Sequence, residues 1–227
     1  METLIAYDLA ATPLREVNAA LHAPGLAGDY LIARPDGAHN VAVGLNAPIR
    51  VTIAGHVGYY AAGMNQQAHV TIHGSAGTGV AENMMSGTVW VKGSASQSAG
   101  ATAHGGLLVI EGKAAARCGI SMKGVDIVVG GDVGHMSAFM AQAGRLVVRG
   151  DAAEALGDSI YEARIYVRGD VASLGADCVV KEMGPEHHSE LQSLLSAAGF
   201  KDDTAAYTRY GSARSLYHFH VDNATAY

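Results

Sequence analysis

Val51-Thr52-Ile53-Ala54-Gly55 is the first of seven short segments in which an aliphatic run ends in glycine. The next segment, Val70-Thr71-Ile72-His73-Gly74, ends 19 residues later, and the same interval separates every later pair. The seven final glycines are Gly55, Gly74, Gly93, Gly112, Gly131, Gly150 and Gly169. Glycines in such strict register indicate an internal repeat, in which each unit stacks on the next.

Each segment has the pattern of a β-strand with one buried face. The residues four and two positions before the glycine are Val, Leu or Ile in all seven repeats. Alternate residues of a strand share a face, so these two columns are expected to point inward. The residue directly before the glycine is mostly polar. Two positions after the glycine every repeat has Ala or Val, and seven positions after it only Ala or Gly. The Ala/Gly column indicates a place where neighbouring backbones approach closely.

These columns predict an all-β fold, a single-stranded right-handed parallel β-helix of seven 19-residue coils with short helical caps. Coils stack at strand spacing, about 4.8 Å, so seven of them form a rod roughly 34 Å long. Left-handed β-helices of the acyltransferase and γ-type carbonic anhydrase kind run on hexapeptides, with an aliphatic residue every sixth position. Here the aliphatic pattern recurs only once per 19-residue coil, which favours the right-handed form.

The N-terminal end departs from the repeat, as the cap of a solenoid must. Residues 12–22 predict a helix with Thr12 as its N-cap and Pro13 in the first turn. Residues 25–50 contain several Gly and Pro residues and predict a lead-in with one irregular strand.

The C-terminal end begins where Gly184-Pro185 breaks the pattern. Residues 186–198 predict a helix with Leu191, Leu194 and Leu195 on one face, closed by Gly199. A polar and aromatic tail follows. We therefore divide the chain into an N-terminal helix and lead-in (1–36), the β-helix (37–183), and a C-terminal helix and tail (184–227).

Charge and composition argue against several classes of function. The formal net charge is −6, and the 15 Lys and Arg residues are scattered, so nucleic acid is not expected as a partner. There is neither a basic and apolar leader nor an apolar run of about 18 residues, so we expect no signal peptide and no membrane span. The two cysteines, Cys118 and Cys178, do not form a disulfide framework. A cytoplasmic protein with reduced thiols is the simplest interpretation.

Motifs that could bind phosphate or catalyse are weak. The stretch Gly74-Ser75-Ala76-Gly77-Thr78-Gly79 lacks the Gly-Lys-Ser/Thr ending of a phosphate-binding loop, and Gly112-Lys113 is followed by Ala114, which has no hydroxyl for magnesium. Asp132, Asp151 and Asp170 each follow a coil glycine, which indicates turn chemistry. We therefore expect no catalytic and no cofactor-binding residue in this chain.

Metal ligands also have little support. His218 and His220 share one face of an extended segment, a spacing that metal ligands can use, but no third ligand lies nearby. A tail that packs on a partner explains them better. Cys118 falls in a column of small and aliphatic residues, which favours a buried, inert thiol. Two cysteines cannot supply an iron–sulfur cluster that needs three or four.

One column exceeds what folding requires. The residue three positions before the glycine should point outward, yet five consecutive coils carry an apolar or aromatic residue there: Trp90, Val109, Val128, Val147 and Tyr166. Such an outward stripe suggests a covered surface, and the cover could be either the chain's own terminal helices or a different protein chain. We assign an interface to this stripe and to four residues of the tail, Tyr217, His218, Phe219 and His220.

The coils resemble the glycine-rich (GXGXG) β-helix that forms the last domain of the glutamate synthase large chain. The likeness is greatest to the family of stand-alone versions, the small β-helix subunits of N-methylglutamate synthase (methylamine–glutamate N-methyltransferase). Three stretches carry it: residues 36–44 before the coils, the coils themselves, and residues 210–220 in the tail. The resemblance covers about residues 28–227. The β-helix subunit of formylmethanofuran dehydrogenase is similar too.

The resemblance implies a subunit without catalytic residues of its own. In glutamate synthases a class II amidotransferase domain uses an N-terminal cysteine, and a barrel that binds FMN and an iron–sulfur cluster performs the redox chemistry. This chain begins Met1-Glu2 and lacks the cysteines for either role. It would link an amidotransferase-like subunit to an FMN-binding synthase subunit in a hetero-oligomer, with both cofactors in that partner. The alternatives are a subunit of a formyl-transfer complex, or a hexapeptide-type trimeric acyltransferase or carbonic anhydrase.

Overall fold

A computed structural model describes residues 4–214. Its strands belong to a single sheet, and two short α-helices and one 3₁₀ turn, Thr204–Ala206, complete the regular structure. The helices are α1, Leu14–Ala20, and α2, Pro185–Ala197. The strands are β1 (Ile5–Asp8), β2 (Asp29–Ala33), β3 (Arg50–Ala54), β4 (His69–Ile72), β5 (Thr88–Val91), β6 (Leu107–Ile110), β7 (Lys123–Val129), β8 (Ala143–Val148), β9 (Arg164–Val167), β10 (Cys178–Lys181) and β11 (Thr208–Ser212).

The architecture is the predicted parallel β-solenoid. Strands β1 to β9 lie side by side in chain order and all pair in parallel. From β3 to β9 residues pair with the residue 19 positions further on, as Val51 does with Val70 and Val70 with Val89, except that Lys123 at the start of β7 pairs with Ala143 before a shift of register. The seven coils of the repeat are therefore confirmed. The right-handed sense of the coil stays a sequence-based prediction, in line with the strong preference of parallel crossovers for that hand.

Five columns of side chains fill the interior. The two aliphatic columns of the strands are buried, and the column two positions after each glycine forms parallel bridges from Val57 to Val171. In the coils that follow Gly55 to Gly150, the columns six and ten positions after the glycine are buried too, and the first of these contains Cys118. Small side chains thus alternate with branched aliphatic ones, and the interior is a packed core.

The Ala/Gly column lies where the chain turns with a left-handed backbone. In the six coils that follow Gly55 to Gly150, the residues five, seven and nine positions after the coil glycine have positive φ, and most are not glycine. Ala62, Ala81 and Ala138 occupy the middle of these positions, with φ of 52°, 56° and 57°, and all three are completely buried. A larger side chain would meet both backbone strain and the neighbouring coils, which explains why only Ala and Gly occur there.

The residues directly after the coil glycines form a ladder of side-chain acceptors. At five levels the side chain accepts the backbone N–H of the next coil, over distances of 2.9–3.2 Å. The accepting side chains are His56, Ser75, Ser94, Asp132 and Asp151. Lys113, which has no acceptor atom, interrupts the ladder and forms an ion pair of 2.7 Å with Asp132 instead. The turn chemistry predicted for the aspartates is confirmed for Asp132 and Asp151.

The lead-in is more regular than predicted. The irregular strand expected within residues 25–50 is β2, and it pairs with β3 at an offset of 21 residues, as Tyr30 with Val51. The rest of this stretch also stacks on the first coil, because Asn40 N–H donates to the Tyr59 carbonyl over 2.7 Å. Residues 29–49 therefore form one more coil, and β1 extends the sheet beyond it.

The prediction for the first helix needs correction. The helix is Leu14–Ala20 rather than 12–22, and Pro13 occupies its N-cap without a side-chain cap. Thr12 lies one residue before this N-cap, and its N–H closes a turn onto the Asp8 carbonyl at 2.8 Å. At the other end α2 has the predicted position and buries Leu191, Leu194 and Leu195, and Gly199 ends it with φ of +77°.

Replacing Ala81 by Val should destabilise the solenoid strongly. A β-branched residue at φ of 56° is strained, and its two added methyl groups have no space. Together these effects should lower the free energy of unfolding by about 3 kcal/mol. Ala81→Gly should cost less than about 1 kcal/mol, since glycine tolerates positive φ. Urea denaturation followed by circular dichroism measures both, and equal effects would contradict the explanation.

Candidate interaction surfaces

The outward apolar stripe is covered by the chain's own helix α2. Val109, Val128, Val147 and Tyr166 are completely buried. They form a second core with residues of α2 and the segment after it: Leu191, Leu194, Leu195, Ala198, Phe200 and Tyr207. The interpretation of these four residues as an interface with another subunit is therefore corrected. The intrachain alternative is the one that the structure adopts.

Trp90 lies at the open end of the stripe and remains half-buried. Its indole Nε1 donates to Glu111 over 2.8 Å, and the Lys92 ammonium lies 4.6 Å from the ring centroid. The end of α2 reaches the ring, because a β-carbon at Gly199 would lie 3.6 Å from it. Beyond this point the outer face of the sheet continues with Thr71 and Thr52, which α2 does not cover.

A first carboxylate, the partly buried Glu190, holds one side of α2 on the sheet. It accepts a hydrogen bond of 2.5 Å from the Tyr166 hydroxyl, and its other oxygen lies 3.1 Å from Arg145 and 3.2 Å from Arg164. Burial opposes its ionisation, but the Tyr166 hydrogen bond and the two guanidinium groups together lower the pKa of Glu190 below its usual value. Arg145 is also paired with Asp126, so the site is a connected network.

A second carboxylate, Asp202, holds the other side in the same way. Arg149 binds both of its oxygens at 2.5 and 2.8 Å, Tyr207 donates to it over 2.7 Å, and Arg168 lies 3.5 Å away. The hydrogen bond from Arg149 lowers the pKa of Asp202 to about 2, although partial burial acts in the opposite direction. The Arg149 guanidinium also stacks on Phe200, at 3.9 Å from the ring centroid. Two tyrosines and four arginines thus fasten α2 over the stripe.

Both cysteines are buried, and the described residues contain no cluster of metal ligands. Burial raises the pKa of Cys118 to about 12 and that of Cys178 to about 11, so both thiols are protonated at neutral pH. The prediction of a buried, inert Cys118 is confirmed. Within residues 4–214 no group of three or more His, Cys, Asp or Glu side chains could hold a metal ion. Tyr217, His218, Phe219 and His220 lie outside the described residues.

One group of exposed apolar side chains lies on the turns of the first coils. Tyr59, Tyr60, Met64 and Met85 are each about half exposed, and we call them the turn-side surface. Tyr60 and Met64 border a cavity of about 170 Å³ that is also lined by Glu82, whose pKa is raised by burial. This surface is apolar around a carboxyl group that is partly removed from water, and sequence reasoning missed it because its residues do not repeat from coil to coil.

A second group lies where the sheet ends. Strand β11 pairs antiparallel with both β9 and β10, so β10 is the edge strand and exposes Val179 and Val180. Beside it is a cavity of about 350 Å³ lined by cationic side chains and by Tyr161, which is half exposed. We call this the terminal-edge surface; it comprises Tyr161, Arg164, Val179, Val180, Lys181, Arg209 and Arg214.

The comparison with known proteins identifies the family. Protein GlxC of Rhizobium meliloti (strain 1021) is 61% identical over 224 residues, which cover 97% of this chain and 98% of that protein. The chain belongs to the GlxC family. Because the identity extends over almost the whole length, the solenoid, α2 and the two surfaces all lie in the part that GlxC shares. No protein-family model and no solved structure gives a significant match.

Membrane spans are not found in the described part of this GlxC-family chain. No helix within residues 4–214 combines the length and the apolar character that crossing a bilayer requires.

Neutralising the Asp202 carboxylate should loosen α2. In Asp202→Asn the guanidinium groups of Arg149 and Arg168 keep their positions without a counter-charge, so the free energy of unfolding should fall by about 2 kcal/mol. Glu154→Gln removes an exposed carboxylate from a coil turn and should change it by less than about 0.5 kcal/mol. Hydrogen exchange of the α2 amides should rise only in Asp202→Asn. Unchanged hydrogen exchange of the α2 amides in Asp202→Asn would contradict the role of Asp202 in holding α2.

Acid should release α2 before it unfolds the coils. Since the folded-state pKa of Asp202 is lowered to about 2, its contribution is complete above pH ~4 and is lost as the pH falls toward 2. Trp90 is the single tryptophan and touches the end of α2, so its fluorescence should shift to the red in this range. Circular dichroism of the sheet should change at lower pH. Coincident transitions in the two signals would disprove a separate step.

Proposed function

We propose that this GlxC-family chain is a non-catalytic docking subunit of a glutamate-synthase-like complex, N-methylglutamate synthase. That complex converts methylamine and glutamate into N-methylglutamate and ammonia. The observation that carries the proposal is the position of the exposed apolar side chains. Seven of the ten large apolar side chains that are exposed in the described residues form two groups, the turn-side surface and the terminal-edge surface, on a solenoid whose own apolar stripe is already covered. Leu4, Ile5 and Met140 lie outside these groups. Such groups are typical of protein interfaces.

The roles of the polar groups support a structural rather than a catalytic part. The acceptors after the coil glycines bind backbone N–H groups, and Glu190 and Asp202 hold α2. Both cysteine thiols are buried with raised pKa values, which makes them poor nucleophiles. The interior columns are occupied by packed aliphatic side chains. Each of these groups therefore already has a function in folding.

The resemblance to the glutamate synthase β-helix supplies the expected partners. One would be a class II amidotransferase-like subunit, and the other an FMN-binding synthase subunit that also carries an iron–sulfur cluster. Two separate exposed surfaces suit a subunit that links two partners. In this arrangement the chain positions the two partners relative to each other, and the partners supply the catalytic residues, FMN and the iron–sulfur cluster.

Co-expression with these two subunits tests the proposal. The three chains should co-purify at fixed stoichiometry, and N-methylglutamate synthesis should require all three. Replacing Tyr59 and Met85 by Glu should reduce co-purification of one partner at least tenfold, because charge enters an apolar surface. Gln67→Glu adds a charge at an exposed position of the first coil turn and should assemble normally.

Three results would contradict the proposal. The first is full synthase activity of the two larger subunits alone. The second is a stable complex with formyl-transfer subunits instead. The third is stoichiometric zinc in the purified chain together with carbonic anhydrase or acyltransferase activity, which would assign it to the hexapeptide-type enzymes.

A further inference from the structure

We propose that the terminal-edge surface binds an extended segment of a partner subunit in which acidic and apolar residues alternate, and that this segment adds a strand to β10. The inference rests on the proposed function and deepens it, because it names the chemistry of one docking site.

The edge of β10 provides the main-chain part of the site. In the described chain β10 has one neighbour, β11, and no other strand follows it in the sheet. Its opposite edge therefore presents backbone N–H and C=O groups that a further strand can pair with. Val180 is 61% exposed, the largest value among the big apolar side chains of the described residues. Natural edges are usually protected, so an apolar one indicates an occupant.

The two faces at this edge differ in character. Lys181 pairs with Arg209, and Arg209 with Tyr166, so these side chains share the outer face with Arg164. Val180 pairs with Tyr210, and Tyr210 with Ile165, so the inner face is apolar. Because side chains alternate along a strand, an added strand would place every second residue against each face. Alternating acidic and apolar residues fit both faces.

The charges at the edge favour an acidic partner. The chain has a net charge of −6, yet four cations and one carboxylate, Glu162, line the cavity of about 350 Å³: Arg164, Lys181, Arg209 and Arg214. Arg164 is paired with Glu190 and Arg214 with Asp177, whereas Arg209 donates through Nε to the uncharged Glu182 carbonyl, so Lys181 and Arg209 carry the local excess of positive charge. The local excess of positive charge on an acidic protein would attract carboxylates and repel basic segments.

A synthetic peptide tests the surface directly on the full-length protein. The probe is a fluorescent peptide of seven residues, alternating Glu and Val, and its control alternates Lys and Val. We expect binding of the Glu peptide only, weakened at least tenfold in 0.5 M salt and at least tenfold in the double variant Lys181→Glu, Arg209→Gln. Lys123→Glu makes a charge change at an exposed position of β7 and should bind as the wild type does. Unchanged thermal unfolding of each variant establishes that it folds.

Carbodiimide cross-linking of the assembled complex identifies the occupant. A zero-length cross-link should join Lys181 to an Asp or Glu of a partner subunit. A link from Lys181 to Asp222 would identify the chain's own tail, and a link to a second copy would identify self-association; either result overturns the proposal. So does failure of the Glu peptide to bind.

The two proposals can fail separately. If the complex assembles equally well with Lys181→Glu, Arg209→Gln and gives no Lys181 cross-link, the terminal-edge proposal is wrong and the docking-subunit proposal stands. If the Glu peptide binds but no synthase complex forms, the surface is a strand-binding site in a different assembly, and the proposed function is wrong.

Discussion

The parallel backbone ladder at 19-residue register is the constraint on which the rest of the structure depends. Because the coil positions of β3 to β9 pair with their equivalents in the next coil, with one shift of register at the start of β7, the same position is repeated about every 4.8 Å along the rod. A side chain must therefore pack between the equivalent side chains of the coils above and below it. This is why the columns are so uniform: aliphatic in the strands, small at the left-handed turns, and hydrogen-bond acceptors after the glycines.

The same repetition creates an outward apolar stripe, and α2 covers this stripe. Val109, Val128 and Val147 would expose a continuous apolar strip, which in a free solenoid promotes association. Glu190 and Asp202 lie on either side of it and are bound by arginines of β8 and β9 and of the turns that follow. The chain thus removes its most regular apolar surface from contact with partners. The apolar side chains that remain exposed, such as Tyr59, Met85 and Val180, do not repeat from coil to coil.

The sequence predicted the parts of the fold that repeat. Register, inward columns, the Ala/Gly column and the buried Cys118 all follow from the 19-residue periodicity, because a column fixes the surroundings of each of its members. The helix 186–198 lies outside the repeat and was predicted from its leucine face and from Pro185 and Gly199 at its ends. The extra coil was underestimated, since its offset is 21 residues and it lacks the coil glycine. The ion pairs that hold α2 on the sheet could not be predicted, because Glu190 and Asp202 bind arginines that are 45 and 53 residues away in the chain. Their meeting depends on how α2 lies across the sheet, and no local pattern encodes that.

The ladder of side-chain acceptors is interrupted at Lys113, and stability therefore differs along the rod. In a solenoid each coil touches only its neighbours, so stability is set level by level along the rod. The last coils have aspartate acceptors and the clamped helix, whereas the first coils have His56, Ser75 and Ser94 and an outer sheet face without a cover. The cover begins at Trp90 and Val109, and the side-chain acceptor is missing at Lys113, in the coil of Val109. The coils N-terminal to Trp90 have neither the aspartate acceptors nor the cover of α2, so local opening of the rod is expected to begin on that side.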